Sequence, residues 1–385
     1  MLYLDHAATS PVRPEVLEAM RPYLTEVFGN PSSHHTAGEA AARALQDARE
    51  RVAGALGMRP ADIIFTSGGT EANNLAVKGI VLGALQASPA RRHLITTPLE
   101  HESVLESADH LRRLHGVETT MLPVDGQGLL RPDDLAARLR DDTALVSFAH
   151  ANNEIGTVQD VVSLAAVARA RRVPVHVDAV QSAGWLDLRR LGADAAIAAI
   201  SIAGHKLGAP KGTGALAVRT RVPLEPLMHG GGQENGRRSG TENVAGAVAL
   251  AVGLELAERE RKQRAADVAA VTTEFIAGVL HAVPQAALTG SPDHRLPNLA
   301  SFTFAGTSGE AILLELERRG VISSSGSACA AGSDEPSHVL VACGIAPEVA
   351  QTSVRFTFGR TPLPDGSGAQ LAALVASAVA AVSGS

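Results

Sequence analysis

Short apolar runs recur along the chain, each cut off by a polar cluster. Residues 63–65 (IIF) run into TSGGTE, 94–97 (LITT) into PLEHES, and 145–148 (LVSF) into AHANNEIG. Residues 173–177 (VPVHV) run into DAVQ, and the run at 193–203 runs into GHK. Apolar runs of this length, bounded by turn residues, predict strands buried on both faces, the kind that fill a parallel sheet. Between them the apolar residues fall at helical spacing. That spacing predicts helices over 14–28, with Val16, Leu17, Met20 and Leu24 on one face, over 36–56, and over 244–282. Strand, polar cluster and helix in repetition give an α/β fold with a doubly wound, mostly parallel sheet.

The pattern changes towards the C-terminus. Apolar runs at 300–304, 321–323 and 354–358 alternate with helical spacing over 310–319 and 368–380, an α+β arrangement. The division this predicts is a large domain over 13–255 and a smaller one over 256–385, joined by the N-terminal segment 1–12. Segment 229–243, HGGGQENGRRSGTEN, is too rich in glycine for a regular element and reads as a ligand-wrapping loop.

Length and composition narrow the function. A chain of 385 residues, 45% of them apolar, fits one large core plus a smaller one. A net charge of −6 argues against nucleic acid as a main partner. Two cysteines, Cys329 and Cys343, give no disulfide framework and point to a reducing, cytoplasmic setting. The start, MLYLDHAATS, has no basic region followed by an apolar run, so no signal peptide is expected. No apolar stretch is expected to reach the roughly 18 residues of a membrane span.

Candidate chemistry gathers at the ends of the predicted strands. Lys206 sits in a glycine-rich turn at the mouth of a buried strand. A lysine placed there loses solvent, and desolvation moves an amine towards nucleophilicity; alone, it reads equally as a loop-tip lysine. Asp178 ends the preceding strand. The turn TSGGTE, with Gly69 and Thr70, leads from strand to helix, where backbone N–H groups and the helix dipole attract an anion; alone, it is an ordinary capped turn. His101 lies at the sheet edge where open α/β folds place their ligands; alone, it is a loop histidine. Together, an amine, a carboxylate and a phosphate cradle are the parts that pyridoxal phosphate requires. Cys329 lies in SSSGSACAAG, where small neighbours give a thiol nothing to bury against, so it can meet a bound substrate and carry a product outward. Cys343, on an apolar helical run, reads as packing.

Ten segments then carry a resemblance: YLDHAAT, GNPSSHH, FTSGGTEANNLA, PLEHESVL, NNEIGTVQD, HVDAVQSAG, AGHKLGAPKGTGAL, HGGGQENGRRSGTEN, SSGSACAAG and SVRFTFGR. Nearly end to end, the chain resembles the cysteine desulfurases of the nitrogen-fixation and housekeeping iron–sulfur type. The resemblance implies a fold-type I pyridoxal-phosphate transferase: a large domain with a mostly parallel, seven-stranded type of sheet, and a smaller α+β C-terminal domain. It implies a homodimer that converts L-cysteine to L-alanine, holds the sulfur as a persulfide, and donates it to an iron–sulfur scaffold or a tRNA-thiolation acceptor protein.

Roles follow position by position from the same resemblance. Lys206 would carry the cofactor and take the Cα proton. Asp178 would bond the ring nitrogen, and Gln181 and Asn153 the phenolic oxygen. Gly69, Thr70, His205 and Thr241 would hold the phosphate, Thr241 reaching in from the partner subunit. His101 would stack on the ring and move protons. Arg355, with Asn153, would hold the substrate carboxylate, and Cys329 would take the sulfur. No metal set is implied, and a transient iron–sulfur ligand role for Cys329 stays open. The stretch from Cys329 to EPSHVL resembles the long-loop subgroup. One position departs: Ala203 stands where many relatives place a phosphate-bonding serine, with Ser201 further down the strand. An aminotransferase or a selenocysteine lyase of the same fold, and a sulfur-relay scaffold without catalysis, remain alternatives.

Overall fold

The computed structural model describes residues 1–326 and 335–383. Its strands, in chain order, are β1 (Leu2–Tyr3), β2 (Ile63–Thr66), β3 (His93–Thr96), β4 (Glu118–Met121), β5 (Thr143–Ala149), β6 (Val175–Asp178), β7 (Ile197–Ala203), β8 (Gly214–Val218), β9 (Ala286–Leu288), β10 (Leu299–Phe304), β11 (Val321–Ile322) and β12 (Val354–Thr357). Seven of them form one sheet in the order β2-β8-β7-β6-β5-β3-β4. Only β8 in that sheet runs against its neighbours; β7, β6, β5, β3 and β4 are paired in parallel. Every residue of β6, β7 and β8 is buried, as expected of central strands covered on both faces.

Two packed layers supply that cover. One core holds Val52 and Leu56 of the helix Thr36–Leu56, Leu164 of Val161–Ala170, and Leu250 and Leu254 of Val244–Ala282. Another core holds Leu75, Val77 and Ile80 from the helical run after the glycine turn, with Val104 and Leu111 of Glu102–His115. The smaller sheet, β12-β10-β9, is antiparallel. It packs around Phe275, whose ring meets Phe302, Phe356 and Phe358 edge-on at centroid distances of 5.0–5.8 Å. The N-terminus joins this region as β1, paired in parallel with β11.

Three sequence expectations need correction. The helix over 14–28 is two pieces, Pro14–Met20 and Pro22–Thr25. Pro22 has no N–H to continue the ladder, and its ring crowds the preceding turn. Leu17 and Leu24 are 53% and 59% exposed, so Val16 alone of the expected face is buried. The run at 193–203 becomes a strand only at Ile197. Before it, Leu188–Ala193 is helical, and the Asp194 carboxylate accepts the Ala196 N–H to turn the chain. Finally, one helix, Val244–Ala282, is long and apolar enough to cross a membrane by length and composition. It gives Leu250 and Leu254 to one core and Val268, Phe275 and Val279 to the other, while other apolar residues of its C-terminal half, such as Leu280, are exposed.

Candidate active site

The C-terminal ends of the parallel strands converge on one edge. Asp178 ends β6, and its register partner on β7 is Ser201, five residues before Lys206. Lys206 closes the short helical turn Gly204–Lys206. That turn needs its glycine: a Cβ on Gly204 would lie 2.1 Å from Thr213 Oγ1. Its backbone is pinned, with Gly204 N–H donating to the Thr213 carbonyl at 2.9 Å.

The N-terminal segment crosses this turn. Lys206 Nζ donates to the carbonyls of Ala7 and Ala8, the latter at 2.9 Å. Gln181 Nε2 donates to the same Ala7 carbonyl at 3.0 Å. His205 Nδ1 meets Thr9 Oγ1 at 3.2 Å, and the Ala7 N–H donates to Thr357 Oγ1 at 2.8 Å. Residues of the DHAAT turn are thus part of the site, which strand and helix periodicity had no means of revealing.

Asp178 is 7% exposed. Its Oδ1 accepts from the Val180 N–H at 2.9 Å and its Oδ2 from Asn73 Nδ2 at 2.6 Å. Asn73 also donates to Ser103 Oγ at 3.0 Å, and that oxygen lies 2.9 Å from His101 Nδ1. His101 caps the helix Glu102–His115, accepting the Ser103 N–H at 3.0 Å. Asn73 and Ser103 were missed from sequence; their sole signal was proximity to TSGGTE and PLEHES.

Burial sets the protonation of several neighbours. His176 bridges Ser147 and Ser201 at 2.8 and 2.9 Å, and burial pushes its pKa down to about 4. Burial does the same to His150. His205 falls to about 4 through burial first, then the charges of Lys206 and Lys211. Glu100, beside His101, is pushed up to about 8 by desolvation, although Thr97 Oγ1 donates to it at 2.6 Å.

The remaining candidates are less concentrated. Gly69 starts the helix after β2, and a Cβ there would meet Val180 Cγ2 at 2.8 Å. Thr70 beside it is exposed. Thr241 is exposed at the end of the 229–243 loop. That loop is tethered to the glycine turn by Arg238, whose Nε donates to Glu71 Oε1 at 2.9 Å while Glu71 Oε2 accepts the Ser67 N–H. Arg355 is 2% exposed; it donates to Asp5 Oδ1 at 2.9 Å and to the Asn153 carbonyl at 3.0 Å. Its Nε is buried without a partner among the described residues. Cys329 lies outside the described residues. Cys343 packs beside Leu99 and Ile155, and burial pushes its thiol up to about 11, as packing requires. Among the described residues, no group of three His, Cys, Asp or Glu is placed to hold a metal.

A profile of the aminotransferase class-V family matches residues 2–362. The chain belongs to the class-V aminotransferases, among their cysteine desulfurases. The cysteine desulfurase IscS of Dictyoglomus turgidum is 46% identical over 360 residues, covering 93% of this chain and 89% of that one. The IscS-like cysteine desulfurase of Mycobacterium tuberculosis is 44% identical over 364 residues, 94% and 92% of the two chains. A solved structure titled NifS-like protein superposes with a TM-score of 0.88 at 32% identity, covering 99% and 98%. This class-V aminotransferase is pyridoxal-phosphate dependent. The residues present fit that group. Lys206 and an Asp178 carboxylate held in place share one edge. Gly69 opens the helix after β2 against Val180 and Ala203, so the N–H groups of that helix's first turn lie near the same edge, where an anion is favoured.

Proposed function

We propose that the chain converts L-cysteine to L-alanine and passes the sulfur, through a persulfide on Cys329, to an iron–sulfur scaffold or a tRNA-thiolation acceptor protein. The observation that carries this reading is the convergence of Lys206, Asp178 and His101 on one sheet edge. Pyridoxal phosphate, when bound, supplies the electron sink that lets the substrate Cα lose its proton. Lys206 attaches that group and moves the Cα proton. Asp178 holds the ring nitrogen, and Gln181 and Asn153 the phenolic oxygen. Gly69, Thr70, His205 and Thr241 of the partner subunit hold the phosphate. Arg355, with Asn153, orients the substrate carboxylate, a planar bidentate task suited to guanidinium. His101 takes and returns the proton of the substrate sulfur.

The Cys329 thiolate attacks that sulfur. An S–S bond forms, the Cβ–S bond breaks with its pair left on the alanine fragment, and a proton completes alanine. A homodimer accords with the exposed apolar side chains of Leu17, Leu24 and Phe28 and with the exposed Thr241. We assign residues 13–255 to the cofactor-binding domain and 256–385, with 1–12, to the smaller one; the β1–β11 pairing supports that grouping. A cytoplasmic location agrees with the two-cysteine composition.

The test is a sulfide and alanine assay with L-cysteine, reductant and added pyridoxal phosphate. The native protein should release both products and Cys329→Ala almost none. Equal turnover by the two proteins would remove Cys329 from the reaction and favour a lyase or aminotransferase.

A further inference from the structure

We propose that Ser103, oriented by Asn73, is a positioning residue that holds the His101 ring with its proton on Nε2, and so ties His101 to the state of Asp178. This rests on the reading of His101 as the group that moves the sulfur proton.

Hydrogen directions follow from the Asp178 end. Both carboxylate oxygens accept, Oδ1 from Val180 and Oδ2 from Asn73 Nδ2. A carboxylate has no hydrogen to give, so Asn73 must face it with its NH₂ group. That group has two hydrogens, and they are both used: one on Asp178 at 2.6 Å, one on Ser103 Oγ at 3.0 Å. Ser103 Oγ therefore accepts from Asn73, and its own hydrogen is left for His101 Nδ1 at 2.9 Å. The Ser103 N–H also points at Nδ1, at 3.0 Å. A ring nitrogen that receives two donors is an acceptor, and the neutral ring then carries its hydrogen on Nε2.

A second observation fixes the amide. Asn73 Oδ1 is buried without a partner among the described residues. An unpaired buried acceptor is costly, and turning the amide over would set that oxygen against the Asp178 carboxylate instead. The orientation is thus imposed by Asp178, and the remaining hydrogens follow from it. Asn73 and Ser103 are 2% and 6% exposed, so water does not compete for these bonds.

The experiment uses the holoenzyme with Ser103→Ala, Ser103→Thr and His101→Gln. Proton transfer by a positioned side chain is worth about 10²–10⁴-fold, and a misaligned ring that is still present forfeits a part of it, about tenfold. Ser103→Ala should therefore lose about tenfold in kcat with KM within about twofold. Bound cofactor should match the native enzyme, and the protein should stay fully folded at the assay temperature, with only the modest fall in melting temperature that one unpaired buried Asn73 N–H brings. The visible circular dichroism of the bound cofactor should change in Ser103→Ala, as the ring beside it shifts. Ser103→Thr keeps the hydroxyl and should restore both kcat and the dichroism. The proposal is overturned if Ser103→Ala has native kcat and dichroism, or if its loss tracks lost cofactor or lost stability, or if Ser103→Thr rescues neither. Native kcat in His101→Gln would instead overturn the role given to His101.

Discussion

Ala203 ends β7 with its Cβ 3.4 Å from where a Cβ on Gly69 would stand, so the strand aims this position at the glycine turn. A methyl there offers a phosphate nothing, and Ser201, the nearest hydroxyl on the strand, is committed to His176 at 2.9 Å. In the site proposed above, phosphate binding would then rest on backbone N–H groups, Thr70, His205 and the partner's Thr241. Restoring a hydroxyl should therefore help. A hydrogen bond to a charged group contributes about 1.5–3 kcal/mol, so Ala203→Ser should tighten pyridoxal phosphate binding by about tenfold or more. Titrating the apoprotein with pyridoxal phosphate and following absorbance measures this directly. An unchanged Kd would mean that residue 203 does not face the phosphate.

The loop 229–243 is held at its centre by one buried ion pair. Arg49, on the helix Thr36–Leu56, meets both oxygens of Glu234, at 2.6 and 3.0 Å. Glu234 Oε2 also accepts the Phe65 N–H of β2, and Arg49 donates to the Ile63 carbonyl and lies 5.0 Å from the Phe65 ring centroid. Glu234 sits at φ 50°, in the left-handed region that most side chains avoid, with its carboxylate held by this pair; Asn235 beside it, at φ 58°, is of a type that adopts that region readily. Removing one partner strands a buried charge, so Glu234→Ala should destabilise by about 3–5 kcal/mol in denaturant unfolding. Arg49→Met in the same chain should recover much of it; a loss below about 1 kcal/mol would show that the pair is not buried in solution. Elements of this kind mark the limit of what sequence reveals. The helices 36–56 and 244–282 were legible as long stretches with apolar residues at helical spacing, and local caps set their ends: Gly57 turns left-handed at φ 68°, and Asn243 accepts the Gly246 N–H. The buried strands were legible as apolar runs, and Lys206 and Asp178 as their polar ends. Pairings such as Arg49–Glu234 and Asn73–Ser103 leave no period, because they join segments distant in sequence. The edge strand β4, ETTM, carried no apolar run at all.

The whole molecule responds to pH through groups at this same sheet edge. His150 and His176 have their pKa lowered from 6.5 to about 4 by burial. Below pH 6.5 the unfolded chain binds protons that the folded one refuses, so stability falls as pH drops through that window. Glu100 works the other way. Burial raises it from 4.5 to about 8, so between those values the folded protein keeps a proton that the unfolded chain releases, and stability falls as pH rises. Each pKa unit corresponds to about 1.4 kcal/mol, so the ionisable carboxyl at position 100 withholds up to about 4 kcal/mol by pH 8. Glu100→Gln keeps the shape without the charge. It should match the native stability near pH 4.5 and exceed it progressively towards pH 8, read as a widening gap between urea midpoints. Parallel curves for the two proteins would mean that Glu100 is solvated in solution. A group that lowers stability and yet feels the charges of both Asp178 and His101, its neighbour in the chain, is one that function has reason to keep. Activity in Glu100→Gln should match the native enzyme near neutral pH, where the native side chain is protonated, and fall below it above pH 8, where only the native residue acquires a negative charge beside His101.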